Sequence, residues 1–278
     1  MIIWLASYPK SGNTWVRSLL SAYYFSENGN FSFELLKNID QYPQKKYFNV
    51  KIDKPGEINS YWDISQKKII SKKKIKILKT HNCLLKLNEK NFTVPEYSLG
   101  IIYVVRDPRN VITSLKNHYD LDYEQSINFM LNEKKYIYNT LGNKDYADFH
   151  FLSSWSNHYK SWINNNLFRR IVVKYEDLEK DTFKTLKNLI TYINNLCKVN
   201  EKIDETKVNN CIKTTNFEIL KHKEIKEGFI ENVYSAKTKK KINFFHLGSK
   251  NKWRKVVPKK FHNKINNIFS EDLKNLKY

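Results

Sequence analysis

The chain has 278 residues, 41% of them hydrophobic and 14% aromatic, which is enough for a substantial core and speaks against disorder of the whole chain. The formal net charge is +21, and all but six of the 49 cations are lysine. Lysine rises here together with asparagine and isoleucine, so part of the charge is compositional; the rest suits a polyanionic partner, such as a nucleotide carrying several phosphates. Cys83, Cys197 and Cys211 are widely spaced and form no CxxC pair, which argues against a disulfide framework or zinc site and for a reducing compartment. No apolar run is long enough to cross a bilayer and the N-terminal segment Met1 to Ala6 carries no basic leader, so the expectation is a soluble cytoplasmic protein with one domain over residues 1–278.

In chain order, residues 2–7 form an apolar run that reads as a strand. A tight loop containing Gly12 follows, and then a helix in which Val16, Leu19, Leu20 and Tyr23 recur at helical spacing. Residues 28–74 carry no readable period. Residues 75–80 alternate like a strand, and Leu99 to Val105 is a continuous apolar run of the kind buried on both faces. Asp107-Pro108 signals a helix start, with the helix over 109–118. Further helices are expected over 122–140, 150–165 and 181–196, a strand over 170–174, and a helical pattern over 261–276. Strands that alternate with helices imply an α/β fold with a central, mainly parallel sheet.

Three segments carry chemistry. In Tyr8-Pro9-Lys10-Ser11-Gly12-Asn13-Thr14-Trp15, a loop between a strand and a helix N-terminus aims backbone N–H groups at an anion. Gly12 permits close backbone approach, Lys10 adds a cation, and Ser11, Asn13 and Thr14 add short donors. The spacing is not that of Walker A. Arg106, at the carboxyl end of a buried strand, offers a planar fork suited to phosphate, and Ser114 lies eight residues on in the next helix; pairing of Arg106 with Asp107 is the plain alternative. Lys79-Thr80-His81 ends another strand and places a candidate general base beside a cation.

These segments resemble the signature motifs of the 3′-phosphoadenylyl sulfate (PAPS)-dependent sulfotransferase family. Tyr8 to Trp15 resembles its YPKSGTTW 5′-phosphosulfate loop, with Asn13 where threonine is usual. Arg106 to Ser114 resembles the 3′-phosphate motif, and Lys79-Thr80-His81 the KTH segment that carries the catalytic base. Tyr175-Glu176-Asp177-Leu178 matches the YEDL segment near the adenine, and Thr215-Asn216-Phe217 is similar to TSFxxM, which also borders the base. Gly248 to Arg254 resembles the end of RKGxxGDWK, but His246-Leu247 replace the Arg-Lys pair that holds the 3′-phosphate, and Asn251-Lys252 replace Gly-Asp; Lys250 or Lys252 is the nearest cation to make good that loss.

The resemblance spans residues 2–257 and implies a P-loop-like three-layer α/β fold. It implies transfer of a sulfuryl group from PAPS, leaving 3′-phosphoadenosine 5′-phosphate (PAP), to a hydroxyl or amine of a small-molecule, lipid or sugar acceptor. His81 is the implied general base, Lys10 stabilises the leaving phosphate, and Lys79 steadies the bridging region. Lys10, Ser11, Gly12, Asn13, Thr14, Trp15, Arg106, Ser114, Tyr175, Thr215, Phe217 and Gly248 are the expected donor contacts. No metal is expected and no specific nucleic acid; a homodimer is compatible with the sequence. Residues 28–74 and 118–150 are expected to form the acceptor pocket, with Tyr119, Tyr123, Tyr136 and Tyr138 as aromatic lining or helix packing. A P-loop kinase using ATP on a small molecule is the competing enzyme reading, and a basic nucleic-acid-binding protein the non-enzymatic one.

Overall fold

A computed structural model describes residues 1–138, 145–235 and 237–278. Four strands, here β1 (Ile2–Ser7), β2 (Lys76–Thr80), β3 (Ser98–Val105) and β4 (Arg170–Lys174), form a parallel sheet in the order β2-β1-β3-β4. Successive side chains of a strand leave by opposite faces. In β1, Ile2, Trp4 and Ala6 therefore enter one core, while Ile3 and Leu5 enter the other. Burial on both faces explains why β1 and β3 read as unbroken apolar runs.

Helices cover both faces. Asn13–Phe25, Thr182–Cys197, Glu205–Thr214 and Phe217–Glu227 pack on the Ile3/Leu5 side. Trp62–Ile70, Pro108–His118, Tyr123–Leu131, Trp155–Ile163 and the C-terminal helices pack on the Ile2/Trp4 side. The chain leaves β1 for one neighbour and returns to place β3 on the other side of it. The carboxyl ends of β1 and β3 thus flank the point where strand order reverses, which is where open α/β sheets take ligands.

Two expected helices end elsewhere than their patterns suggested. The one expected over 122–140 stops at Leu131: the Asn132 side chain accepts from Lys134 N–H (2.8 Å) and holds the chain in a turn. Residues 139–140 of that expectation lie outside the described residues. The helix expected over 150–165 is confined to Trp155–Ile163. Ser154 caps it, and His150–Phe151 instead pairs antiparallel with Tyr136–Ile137. The 261–276 pattern is one turn followed by two short helices, His262–Ile268 and Ser270–Asn275, on either side of Phe269.

Candidate active site

Each sheet strand delivers one motif at its carboxyl end: Tyr8–Gly12 after β1, His81 after β2, Arg106 after β3 and Tyr175 after β4. All four open onto one cavity of about 1490 Å³, above the usual range for a pocket holding a single small ligand and roomy enough for two.

The loop after β1 is shaped by left-handed backbone at Lys10 (φ 65°) and Gly12 (φ 104°). Only glycine suits position 12, because a Cβ there would lie 2.6 Å from the Tyr175 ring as well as being strained. Asn13 does not face the cavity as a free donor. Its Nδ2 donates to Leu5 O (3.1 Å) and Ser7 Oγ (3.2 Å), lacing the helix start to β1. Ser11 is buried, with a hydroxyl that has no partner among the described residues. The buried Lys10 ammonium makes no hydrogen bond among them and sits 3.3 Å from the centre of the Phe244 ring. Burial lowers its pKa to about 7, with the Lys79 charge adding to the fall and Glu231 opposing it.

His81 is held in place from behind. Its Nδ1 lies 2.8 Å from the Ser7 carbonyl, which can only accept, so that nitrogen carries the proton and Nε2 is the basic one. His158 Nε2 bonds the His81 carbonyl (3.0 Å), its Nδ1 meets Tyr103 Oη (2.8 Å), and Trp162 donates to the Asn82 carbonyl (3.0 Å). Burial, then the neighbouring Lys79 and His150, hold the His81 imidazole well below its ordinary pKa, so it is neutral.

Lys79 brings in a residue that the sequence did not signal. Its Nζ donates to Glu231 (2.7 Å), and the same carboxylate accepts from Arg17 (3.0 Å) and from Thr14 Oγ1 (3.0 Å). Burial alone would raise the Glu231 pKa, but Lys79 and Arg17 pull it far below the carboxylate range. Glu231 follows a turn after Phe217–Glu227 in a stretch without periodicity, and only the folded chain carries it back to the β1 loop.

At the far end, Arg106 does not pair with Asp107. That carboxylate is taken by Arg109, through Nε (2.9 Å) and a second nitrogen (2.7 Å), and by the Arg109 backbone. Arg106 instead lies over the Tyr175 ring (3.9 Å) and reaches Ser114 Oγ (3.4 Å), leaving its buried Nε without a partner among the described residues. Asn251 closes this end, donating to Ser114 Oγ (3.0 Å) and the Asn110 carbonyl (2.9 Å). His246 and Leu247 line the cavity, whereas Lys252 is paired with Glu179 (2.6 Å) and Lys250 is exposed. Asn251, rather than either lysine, is the residue that meets Ser114.

Trp15, Tyr175, Phe217 and Gly248 also border the cavity. The Trp15 and Tyr175 rings are 5.6 Å apart, and Gly248 (φ 54°) lies so close to Phe217 that a Cβ would be 2.6 Å from the ring. Thr215 is not among the lining residues. It is fully buried, its hydroxyl donates to the Cys211 carbonyl (2.8 Å), and Asn216 lines the wall beside it. Of the four tyrosines expected near the acceptor, Tyr119 and Tyr138 line the cavity. Tyr123 donates to the Val256 carbonyl (2.9 Å), and Tyr136 stacks on Phe149.

The chain and its fold have counterparts among known proteins. The chain is 22% identical over 279 residues to amine sulfotransferase of Oryctolagus cuniculus, covering 98% of this chain and 80% of that protein. It is 25% identical over 284 residues to cytosolic sulfotransferase 12 of Arabidopsis thaliana, covering 97% and 76%. Among solved structures, mouse sulfotransferase SULT7A1 complexed with PAP superposes with a TM-score of 0.55 at 17% identity, covering 99% of this chain and 84% of that one. Retinol dehydratase in complex with retinol and PAP gives 0.58 at 17% identity, covering 98% and 81%. Their shared fold is the P-loop-like α/β architecture seen here, and the sulfotransferase-domain family model matches residues 2–277, nearly the whole chain. This chain is therefore a member of the sulfotransferase family.

Proposed function

We propose that the protein transfers a sulfuryl group from PAPS to a hydroxyl or amine of a small-molecule or carbohydrate acceptor and releases PAP. The observation that carries this reading is the pairing of two cationic ends in one cavity, Lys10 at the β1 loop and Arg106 with Ser114 after β3, each with buried polar atoms free of protein partners among the described residues. Those orphaned groups fit a ligand with phosphate at both ends. The aromatic rings of Trp15, Tyr175 and Phe217 fit a base between them.

The donor supplies an activated sulfuryl group on a phosphate leaving group. Lys10, whose charge is poorly solvated in the free protein, gains most from the negative charge that grows on that leaving oxygen. His81 accepts the acceptor proton at Nε2 as the acceptor oxygen or nitrogen bonds to sulfur and the sulfur–oxygen bond to the leaving phosphate breaks, while the Ser7 carbonyl keeps the ring oriented. Lys79, which donates one N–H to Glu231, steadies the bridging region. Ser114 and Asn251 orient the 3′-phosphate around Arg106.

Calorimetric titration with PAP, adenosine 5′-phosphosulfate and ATP tests the assignment. PAP is expected to bind most tightly, because only it carries a 3′-phosphate for Arg106. ATP binding as well as PAP would replace this reading with that of a kinase.

A further inference from the structure

We infer that His150 is an acceptor-binding residue, and that the acceptor carries a second hydroxyl on the atom next to the reacting one, as in a catechol, a vicinal diol or a sugar. This rests on the donor assignment above and concerns the other half of the same cavity. His150 lines the cavity, is 2% exposed, and neither of its ring nitrogens has a partner among the described residues. Buried imidazoles with a structural role satisfy their nitrogens, as His158 does with Tyr103 and the His81 carbonyl. The His150 and His81 ring centres are 6.1 Å apart.

That spacing is built into the backbone. Phe151 N–H donates to the Asn82 side chain (2.9 Å) and Cys83 N–H to the Phe151 carbonyl (2.8 Å). The segment after His81 and the segment after His150 are thus tied to each other by two hydrogen bonds, and the imidazoles they carry stand at a set separation. Burial keeps His150 neutral, with its pKa lowered to about 3. A neutral imidazole offers one donor and one acceptor, which matches a hydroxyl, itself both donor and acceptor. When His81 Nε2 takes the proton of one hydroxyl, the neighbouring hydroxyl of a vicinal pair falls beside His150. Gln41, Gln44 and Tyr138 on the same cavity add further polar groups for a polyhydroxylated molecule.

The test compares matched acceptors on the full-length enzyme with PAPS: phenol against catechol, and cyclohexanol against cis-cyclohexane-1,2-diol. After correction for the second reactive hydroxyl, the diols should be favoured in kcat/KM by roughly 3- to 12-fold, the range of one hydrogen bond. His150→Phe should erase that preference, mainly through KM, so that each diol falls to the level of its monohydroxy partner whatever rate the two then share, and should leave PAP affinity near wild type. His150→Asn, which keeps a donor and an acceptor, should restore part of it. An equal loss for both members of a pair, or a preference that survives in His150→Phe, overturns the inference. So does the absence of a diol advantage in wild-type enzyme that binds PAP, and that result leaves the donor assignment standing. Failure of wild-type enzyme to bind PAP would instead remove the donor assignment.

Discussion

The two cationic ends of the cavity solve the same electrostatic problem differently. At the end near Arg106, the guanidinium is buried and has no carboxylate partner among the described residues. It lies on the Tyr175 ring, and Asp107, the nearest acid in sequence, is occupied by Arg109. At the β1 end, three groups that the chemistry needs or adjoins, Lys79, Arg17 and Thr14, are gathered by the protein's own Glu231. Buried charge is tolerable only when compensated. An aromatic face compensates weakly and leaves the fork's donors to a ligand, as it also does for Lys10 on the Phe244 ring, whereas the Glu231 carboxylate compensates Lys79 and Arg17 more strongly and holds their donors itself. On the proposed function, the first end would be a standing anchor for phosphate, and the second a site where an incoming anion exchanges with a resident one. The anchor should govern affinity and the exchange end should govern turnover.

The largest expected effect tests that division at His81. His81→Ala should lower turnover by about 10²–10⁴-fold while leaving PAP affinity nearly unchanged, as read from steady-state kinetics and calorimetry on one preparation. Near-normal turnover from a stably folded variant would remove the base assignment.

Next in size, Lys10→Met should cost roughly 10²–10³-fold in kcat through lost stabilisation of the leaving phosphate. Lys10 also gives the exchange end a pH signature. Its pKa in the free protein is lowered to about 7, so it is charged below that pH and neutral above it. A bound phosphate favours the charged form, so binding takes up a proton above pH 7 and PAP affinity weakens as pH rises. Calorimetry in buffers of different ionisation enthalpy measures that uptake, which should vanish in Lys10→Met. Uptake that persists in the variant would assign it to another group.

At the anchor, Arg106→Ala should weaken PAP by roughly 1.5–3 kcal/mol and adenosine 5′-phosphate far less. Equal losses for the two nucleotides would show that Arg106 braces Tyr175 and Ser114 rather than holding the 3′-phosphate. Asn251→Ala should follow Arg106 in direction with a smaller loss, since it reaches the ligand's surroundings through Ser114.

The strand ends that carry Arg106 and Lys79-Thr80-His81 to the cavity were legible in the sequence because each depends on a few neighbouring residues. A buried strand followed by Arg106, or by Lys79-Thr80-His81, needs only an apolar run and a motif at its end, and the parallel sheet follows from the same runs. What was not legible depends on contacts between distant segments. Glu231 lies 217 residues from Thr14, and nothing local marks it. Asn13 lines the cavity, but its side-chain amide donates to the Leu5 carbonyl and to Ser7 on β1, and Thr215 has a carbonyl one helical turn behind it. Short polar side chains choose between ligand and backbone by geometry that spacing does not carry. His150 sat inside an expected helix until Tyr136–Ile137 drew it into a strand pair.

The smallest effect is the most diagnostic of the exchange. Glu231→Gln keeps the shape of the side chain and removes its charge, so Thr14, Arg17 and Lys79 are no longer held by a carboxylate. If the donor's anion replaces Glu231, the variant should bind PAP about tenfold more tightly, the scale of one charge-assisted hydrogen bond. The same change leaves Lys79 and Arg17 as less compensated buried cations, so the ligand-free variant should melt lower. Bound PAP should recover that loss, giving a larger PAP-induced rise in melting temperature than in wild type. A brace would behave otherwise. If Glu231 stays in place beside the bound nucleotide and positions Lys79, its neutralisation should weaken PAP, and the ligand should recover no more stability than it adds to wild type. Affinity and melting temperature therefore move in opposite directions under exchange and together under bracing, and measuring both on Glu231→Gln decides between a carboxylate that competes with the donor and one that helps to hold it.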